Sequence, residues 1–265
     1  MQGDLLSSSD SASSSKEDTH SSKQQQPLAA RMRPQALTEM IGQEHLLGSG
    51  RPLGEAVQRQ RLHSMILWGP PGTGKTTLAY LLATAHDAEF VALSAISSGI
   101  KDVRLALDSA KLRQQQSDRA TLLFIDEIHR FSKSQQDGLL HGVEEGVVTL
   151  IGATTENPSF ELNNALLSRM RVYLLKSLTT GQLVELLKQA LTADKGLQNQ
   201  YRATDESLEH LARAADGDAR RALGLLEVCA DLAIDYQIDV NILQEALSAQ
   251  PRQFDKGGDH FYDQF

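Results

Sequence analysis

Eight consecutive residues, Gly69-Pro70-Pro71-Gly72-Thr73-Gly74-Lys75-Thr76, satisfy the pattern GxxxxGK[ST] in full. Glycines at these spacings let successive backbone N–H groups converge on phosphate oxygens, and a helix starting behind them adds partial positive charge. Lys75 would bridge β- and γ-phosphates, and the Thr76 hydroxyl would ligate Mg²⁺. Thr77 follows as the next residue of the cradle. Farther along, the apolar run Thr121-Leu122-Leu123-Phe124-Ile125 ends in Asp126-Glu127. Two carboxylates at the tip of a buried strand suit a phosphate site: Asp126 to hold the Mg²⁺ shell, Glu127 to orient and deprotonate an attacking water. The chemistry these residues could do is hydrolysis of a nucleoside triphosphate such as ATP.

Elements of the right kind surround them. The phosphate loop follows Met65-Ile66-Leu67-Trp68 and precedes Thr77-Leu78-Ala79-Tyr80-Leu81-Leu82, a strand–loop–helix setting. Apolar runs without strict alternation predict parallel strands at Ser64–Trp68, Glu89–Leu93, Thr121–Ile125, Val147–Gly152 and Arg171–Leu175. Helix patterns fall between them at Thr76–Ala85, Ile100–Gln114 and Lys133–Glu145. This succession predicts an α/β unit over 27–176, a parallel five-stranded sheet with helices on both faces. From Ser177 the pattern is helical, giving a small all-helical lid over 177–248. Thr179 and Gln182 have capping-box spacing, and a second helix stops at Gly217. Asp218 is placed to cap a third, and Asp239 or Asn241 a fourth. Residues 1–26, rich in Ser and Gln, have too little apolar surface to offset ordering and are expected to be disordered.

Composition sets limits. With 265 residues and 40% hydrophobic content, one large or two small cores can form, yet no apolar stretch is long enough to cross a bilayer. The lone Cys229 excludes an intramolecular disulfide and a cysteine-built zinc site. A formal net charge of −8 repels nucleic acid, so any DNA contact must come from a local basic patch. The tail has neither the apolar run of a secretory signal nor the arginines of a mitochondrial presequence.

Gly69–Thr76 with Asp126-Glu127 resembles an AAA+ ATPase. Leu28-Ala29-Ala30-Arg31-Met32-Arg33-Pro34, Ile41-Gly42-Gln43-Glu44-His45-Leu46, Ile125-Asp126-Glu127-Ile128-His129-Arg130-Phe131 and Gly152-Ala153-Thr154-Thr155-Glu156-Asn157-Pro158-Ser159-Phe160 narrow it. These segments, with Leu166-Leu167-Ser168-Arg169 and Gly217-Asp218-Ala219-Arg220-Arg221-Ala222-Leu223, resemble the replication-associated recombination protein A family, related to clamp-loader subunits and the Holliday-junction branch-migration motor. The resemblance covers Pro27 to the C-terminus. It implies ATP and Mg²⁺ as ligands and action on DNA at stalled or damaged replication forks. It further implies that Thr155 helps place the attacking water and that Arg169 is an arginine finger for a neighbouring subunit, with Arg171 as the fallback. Arg220 would be a phosphate-sensing arginine of the lid, and Ile41-Gly42-Gln43 would enclose the adenine. The residues themselves support Arg220. It lies in the first turn after cap Asp218, where the helix dipole disfavours a cation by ~0.3–1 kcal/mol, so a phosphate would supply the missing charge.

The partners implied are forked DNA or a single-strand/double-strand junction, single-strand-binding protein, other replication proteins and further copies of the chain. The implied location is cytoplasmic or nucleoid-associated, nuclear in a eukaryote, with no membrane partner. The loop Ser94–Gly99 lacks the aromatic residue of protein-unfolding AAA+ machines, and Lys101, Arg104 and Lys111 lie near one face of the following helix. Lys101 and Arg104, with Arg130 and Lys133, are therefore candidate DNA-phosphate contacts, set against the alternative of a solvated face that also bears Asp102 and Asp108. Family members continue past Phe254–Asp259 into a helical tetramer-assembly domain, so 249–265 reads as the start of a truncated C-terminal region. The alternatives are a clamp-loader or branch-migration type ATPase subunit, and a nucleotide-gated binding module that hydrolyses little.

Overall fold

The structure, a computed structural model, describes residues 26–117 and 119–249. The expectations for the N-terminal tail and for 250–265 lie outside the described residues. Five strands form one sheet: β1 (Met65–Trp68), β2 (Glu89–Ser94), β3 (Thr121–Asp126), β4 (Thr149–Thr154) and β5 (Arg171–Leu174), in the order β2-β3-β4-β1-β5. Every pairing in this sheet is parallel, so the carboxyl ends of all five strands share one edge. Ligands of open α/β sheets bind at that edge.

Residues alternate across the sheet because the strand period is two. Leu123 and Ile125 of β3 join Ile66 and Leu150 on one face. There Val103 of helix Ile100–Ser117 and Leu139 of helix Lys133–Glu144 cover them. Leu122 and Phe124 point the other way, with Met65, Leu67 and Ile151, onto Leu78 and Leu82 of helix Lys75–Ala85. Both faces are dry, which accounts for the unbroken apolar runs of the strands.

One strand is shifted from its expected place. β4 starts at Thr149, two residues later than the apolar run, and continues to Thr154. The reason lies in the turn before it. Gly146 adopts φ +67, and the N–H groups of Val147 and Val148 donate to the Gly142 carbonyl at 3.0 and 3.3 Å, closing the preceding helix. Thr155 therefore follows directly on the strand tip.

The lid consists of helices Thr180–Thr192, Asp205–Ala215, Ala219–Leu232 and Val240–Ala249. Each starts where its cap directs. Thr179 forms the capping box with Gln182, Thr204 accepts from Ser207 N, Asp218 accepts from Arg221 N, and Asp239 accepts from Ile242 N. The lid is not purely helical: Arg202–Ala203 and Gln237–Ile238 pair as two short parallel strands. Cys229 is fully buried there as a free thiol, its pKa pushed up to about 11 by burial. Leu28 and Met32, at the other end of the described chain, also pack into this core. Leu28 N donates to Glu227 Oε1 at 2.7 Å, which fastens the first short helix, Leu28–Arg31, to the lid.

Candidate functional site

The loop Gly69–Gly74 leaves β1 at the carboxyl edge of the sheet and enters helix Lys75–Ala85. Gly72 and Gly74 adopt φ +67 and +92, the left-handed region that glycine occupies without strain. Space is as restrictive as torsion. A Cβ on Gly74 would meet Met40 Cε at 2.5 Å, and one on Gly72 would collide with the Asp218 carboxylate. Lys75, 8% exposed, turns back over the loop, its Nζ donating to Gly69 O at 2.7 Å and Pro70 O at 2.8 Å.

Four other charges act on that ammonium. Burial pulls the Lys75 pKa below the ordinary lysine range, and the Glu127 and Asp126 carboxylates oppose the shift. Arg220 lowers it further, while Asp218 raises it. The fold thus brings Asp126, Glu127 and the lid's Arg220 near enough for their charges to be felt at Lys75, although Lys75 and Arg220 come from different units of the chain. Asp126 ends β3, and its carbonyl accepts from Ala95 N at 2.9 Å. Glu127 stands just beyond, at φ +53 and ψ +45. Such a conformation costs a non-glycine residue ~1–3 kcal/mol.

Between sheet and lid runs a cleft of about 660 Å³, lined by Gly72, Thr73, Gly74 and Thr77 below and by Ala219, Arg220 and Leu223 above. Met40 and Ile41 form its apolar end with Leu178 and Gln182. Gly42, at φ +83, packs so closely that an added Cβ would lie 3.1 Å from Gln182 Oε1. The size and mixed lining suit a nucleotide, with the apolar end for the base. The donor set fits too: a glycine cradle that tolerates no Cβ, a buried ammonium, and the Thr76 hydroxyl and Asp126 carboxylate as oxygen ligands of the kind Mg²⁺ takes.

The remaining candidates divide. Thr155 lies at the carboxyl edge, directly after β4, half-buried. Arg169 does not join the cluster. It stands at the exposed end of helix Asn164–Leu167, where Nη2 pairs with Glu144 Oε1 at 2.6 Å and Nη1 donates to Ala165 O at 2.8 Å. Arg171 begins β5 at the amino edge, opposite the loop, beside Arg59, Arg61 and His63 in a second cleft of about 340 Å³. Arg171, the fallback for a finger supplied to a neighbouring subunit, thus stands away from this chain's own phosphate loop. Of the surface cations, Lys111 pairs with Glu145 at 3.8 Å. Lys101, Arg104, Arg130 and Lys133 are exposed and have no carboxylate partner within 4.0 Å among the described residues.

Sequence reasoning missed several contacts that hold this site together, including the one made by Gln43, which it had placed only in the adenine-enclosing segment. Gln43, 1% exposed, grips the junction between sheet unit and lid with both ends of its amide: Nε2 donates to Lys176 O at 2.9 Å and Oε1 accepts from Lys176 N at 3.2 Å. Asp218 both caps its helix and covers Gly72, and Ala219 N donates to Gly72 O at 3.2 Å. His129 and the fully buried Thr154 lie behind Glu127. Only Asp218 had a local signal, as a cap.

The family model described as "ATPase family associated with various cellular activities (AAA)" matches residues 65–178, and an AAA C-terminal domain model matches 197–265. The chain is 52% identical over 243 residues to replication-associated recombination protein A of Haemophilus influenzae, covering 89% of this chain and 54% of that protein. The chain belongs to this family. The counterpart from Escherichia coli strain K12 is 50% identical over 246 residues, covering 90% of this chain and 55% of that one. The chain therefore spans about half the length of the curated relatives it matches. Among solved structures, the Holliday junction branch migration motor RuvB of Thermotoga maritima superimposes with a TM-score of 0.67 and 28% identity, over 82% of this chain and 72% of that one. The AAA+ fold carries nucleotide binding with it. Among the described residues, no helix is long and apolar enough to cross a membrane.

Proposed function

We propose that the chain is the ATP-hydrolysing module of a protein that works on DNA at stalled or damaged replication forks, in the manner that its relatives' name, replication-associated recombination protein A, suggests. The observation that carries the hydrolytic part is the cleft in which the glycine cradle of buried Lys75 faces Arg220 of the lid, with Asp126 at the carboxyl end of β3. Lys75 and the loop N–H groups hold the phosphates, and Arg220 reports their presence to the lid. Thr76 and Asp126 would hold Mg²⁺, which supplies neutralisation of phosphate charge. Thr155 and Glu127 hold the attacking water, whose proton passes to the Glu127 carboxylate. Met40, Ile41 and Gly42 enclose the base.

DNA contact is proposed for Lys101 and Arg104, with Arg130 and Lys133. These cations stand free of carboxylate partners among the described residues: Lys101 and Arg104 on helix Ile100–Ser117, Arg130 at the end of the turn that follows Glu127, and Lys133 at the start of helix Lys133–Glu144. Phosphate contacts of this kind position DNA without reading bases. Steady-state ATP turnover with and without forked DNA tests the proposal: stimulation by the fork is expected. Retained ATP affinity with no stimulation would favour the nucleotide-gated binding module instead. In the variant Lys101→Ala plus Arg104→Ala, log K against log salt should flatten by about two units. An unchanged slope removes these residues from the interface.

A further inference from the structure

Behind the proposed base lies a pair of polar groups, His129 and Thr154. His129 Nδ1 lies 2.9 Å from Thr154 Oγ1, in hydrogen-bonding geometry, and 3.3 Å from Glu127 Oε2. The imidazole is largely enclosed, with 12% of its side chain exposed, and Thr154 is fully buried at the tip of β4. The Thr154 hydroxyl also accepts from Glu156 N at 3.0 Å and donates to Glu156 O at 3.3 Å, which leaves it an acceptor toward His129. A carboxylate only accepts as well. Both neighbours therefore call for a hydrogen on Nδ1, and we assign that tautomer.

Thr154 is fixed from its other side too. Its backbone carbonyl accepts from Gly69 N at 3.2 Å, at the first residue of the phosphate loop, and the residue pairs in register with Trp68 of β1. A continuous run of contacts thus leads from the phosphate loop through Thr154 and His129 to Glu127. The Glu127 carboxylate lies against His129, and its charge is felt at Lys75. With its backbone in the left-handed region and a side chain of several rotatable bonds, Glu127 needs an external hold to keep one rotamer.

We propose that His129, anchored by Thr154, is a positioning residue that holds the Glu127 carboxylate toward the phosphate loop for proton abstraction. The inference rests on the reading of Glu127 as the base. Its role is orientation: Nδ1–H fixes one carboxylate oxygen, leaving the other to meet the water.

The test uses the full chain with three variants: His129→Leu, His129→Asn and Thr154→Val. ATP affinity, kcat and KM are measured for each. His129→Leu should lower kcat about 10²-fold, the cost of a catalytic group displaced by ~1 Å, with ATP affinity unchanged. His129→Asn places an amide N–H where Nδ1 stood and should recover most of the rate. Thr154→Val keeps the shape but removes the anchor, so kcat should fall while affinity holds. Nitrogen NMR of the His129 ring should show hydrogen on Nδ1. Equal losses in the Leu and Asn variants would mean that the ring only fills space, and full kcat in His129→Leu would overturn the proposal. If His129→Leu does not fold, the Asn and Val variants decide. Full turnover in Glu127→Gln would instead remove the base reading itself, so the two failures remain distinct.

Discussion

Glu127→Gln is expected to bind ATP as tightly as the unaltered chain and to hydrolyse it ~10²–10⁴-fold more slowly, the range that a positioned general base contributes. Gln keeps the volume and hydrogen-bonding reach of Glu but cannot take a proton from water. The change leaves the loop intact, because Lys75 is held by the Gly69 and Pro70 carbonyls and not by Glu127. It also removes the larger of the two carboxylate effects that oppose the burial of Lys75, so the lysine pKa moves further down. Equilibrium ATP binding measured beside phosphate release gives the answer. Full turnover in this variant would exclude Glu127 as the base.

Arg169→Ala should cost more. We propose that Arg169 reaches the nucleotide of a neighbouring copy, and loss of an arginine finger lowers turnover by ~10³–10⁵. Within one chain the residue does not line the cleft, and its guanidinium is tied to Glu144, Ala165 and Ser168. The Glu144 pair is about two-fifths exposed on each side, so releasing it costs ~0–1 kcal/mol. A mixing experiment isolates the action between copies. Arg169→Ala lacks a finger and Glu127→Gln lacks a base, yet a mixed assembly contains interfaces with both. Partial recovery of turnover on mixing is expected. No recovery, in mixtures that sedimentation shows to be assembled, would refute action in trans.

The most legible parts of this protein were those whose chemistry is contiguous. The phosphate loop and Asp126-Glu127 stand in single short segments, with apolar strands leading into them, so type and spacing sufficed. The caps Thr179, Asp218 and Asp239 were legible for the same reason: a cap acts on residues two or three positions away. β4 was misplaced by two residues because Val147 and Val148 look like strand but give their N–H groups to the helix before them. Contacts across long separations left no trace in the pattern. Gln43 meets Lys176 over 133 positions and His129 meets Thr154 over 25, and neither has a periodicity to betray it. Lys111 illustrates the converse. Grouped by helical spacing with Lys101 and Arg104, it turns out to be paired with Glu145 from the next helix.

The seat of Leu28 and Met32 inside the lid has a consequence for biosynthesis. Glu227, the acceptor of Leu28 N, is translated 199 residues after it. At ~5–20 residues per second that is a wait of about 10–40 s, during which Leu28 lacks this partner. The sheet can condense in the meantime, since its strands all precede the lid helices. The lid core is then completed only when Leu28 and Met32 take their places in it, a closure that joins segments made at opposite ends of the described chain.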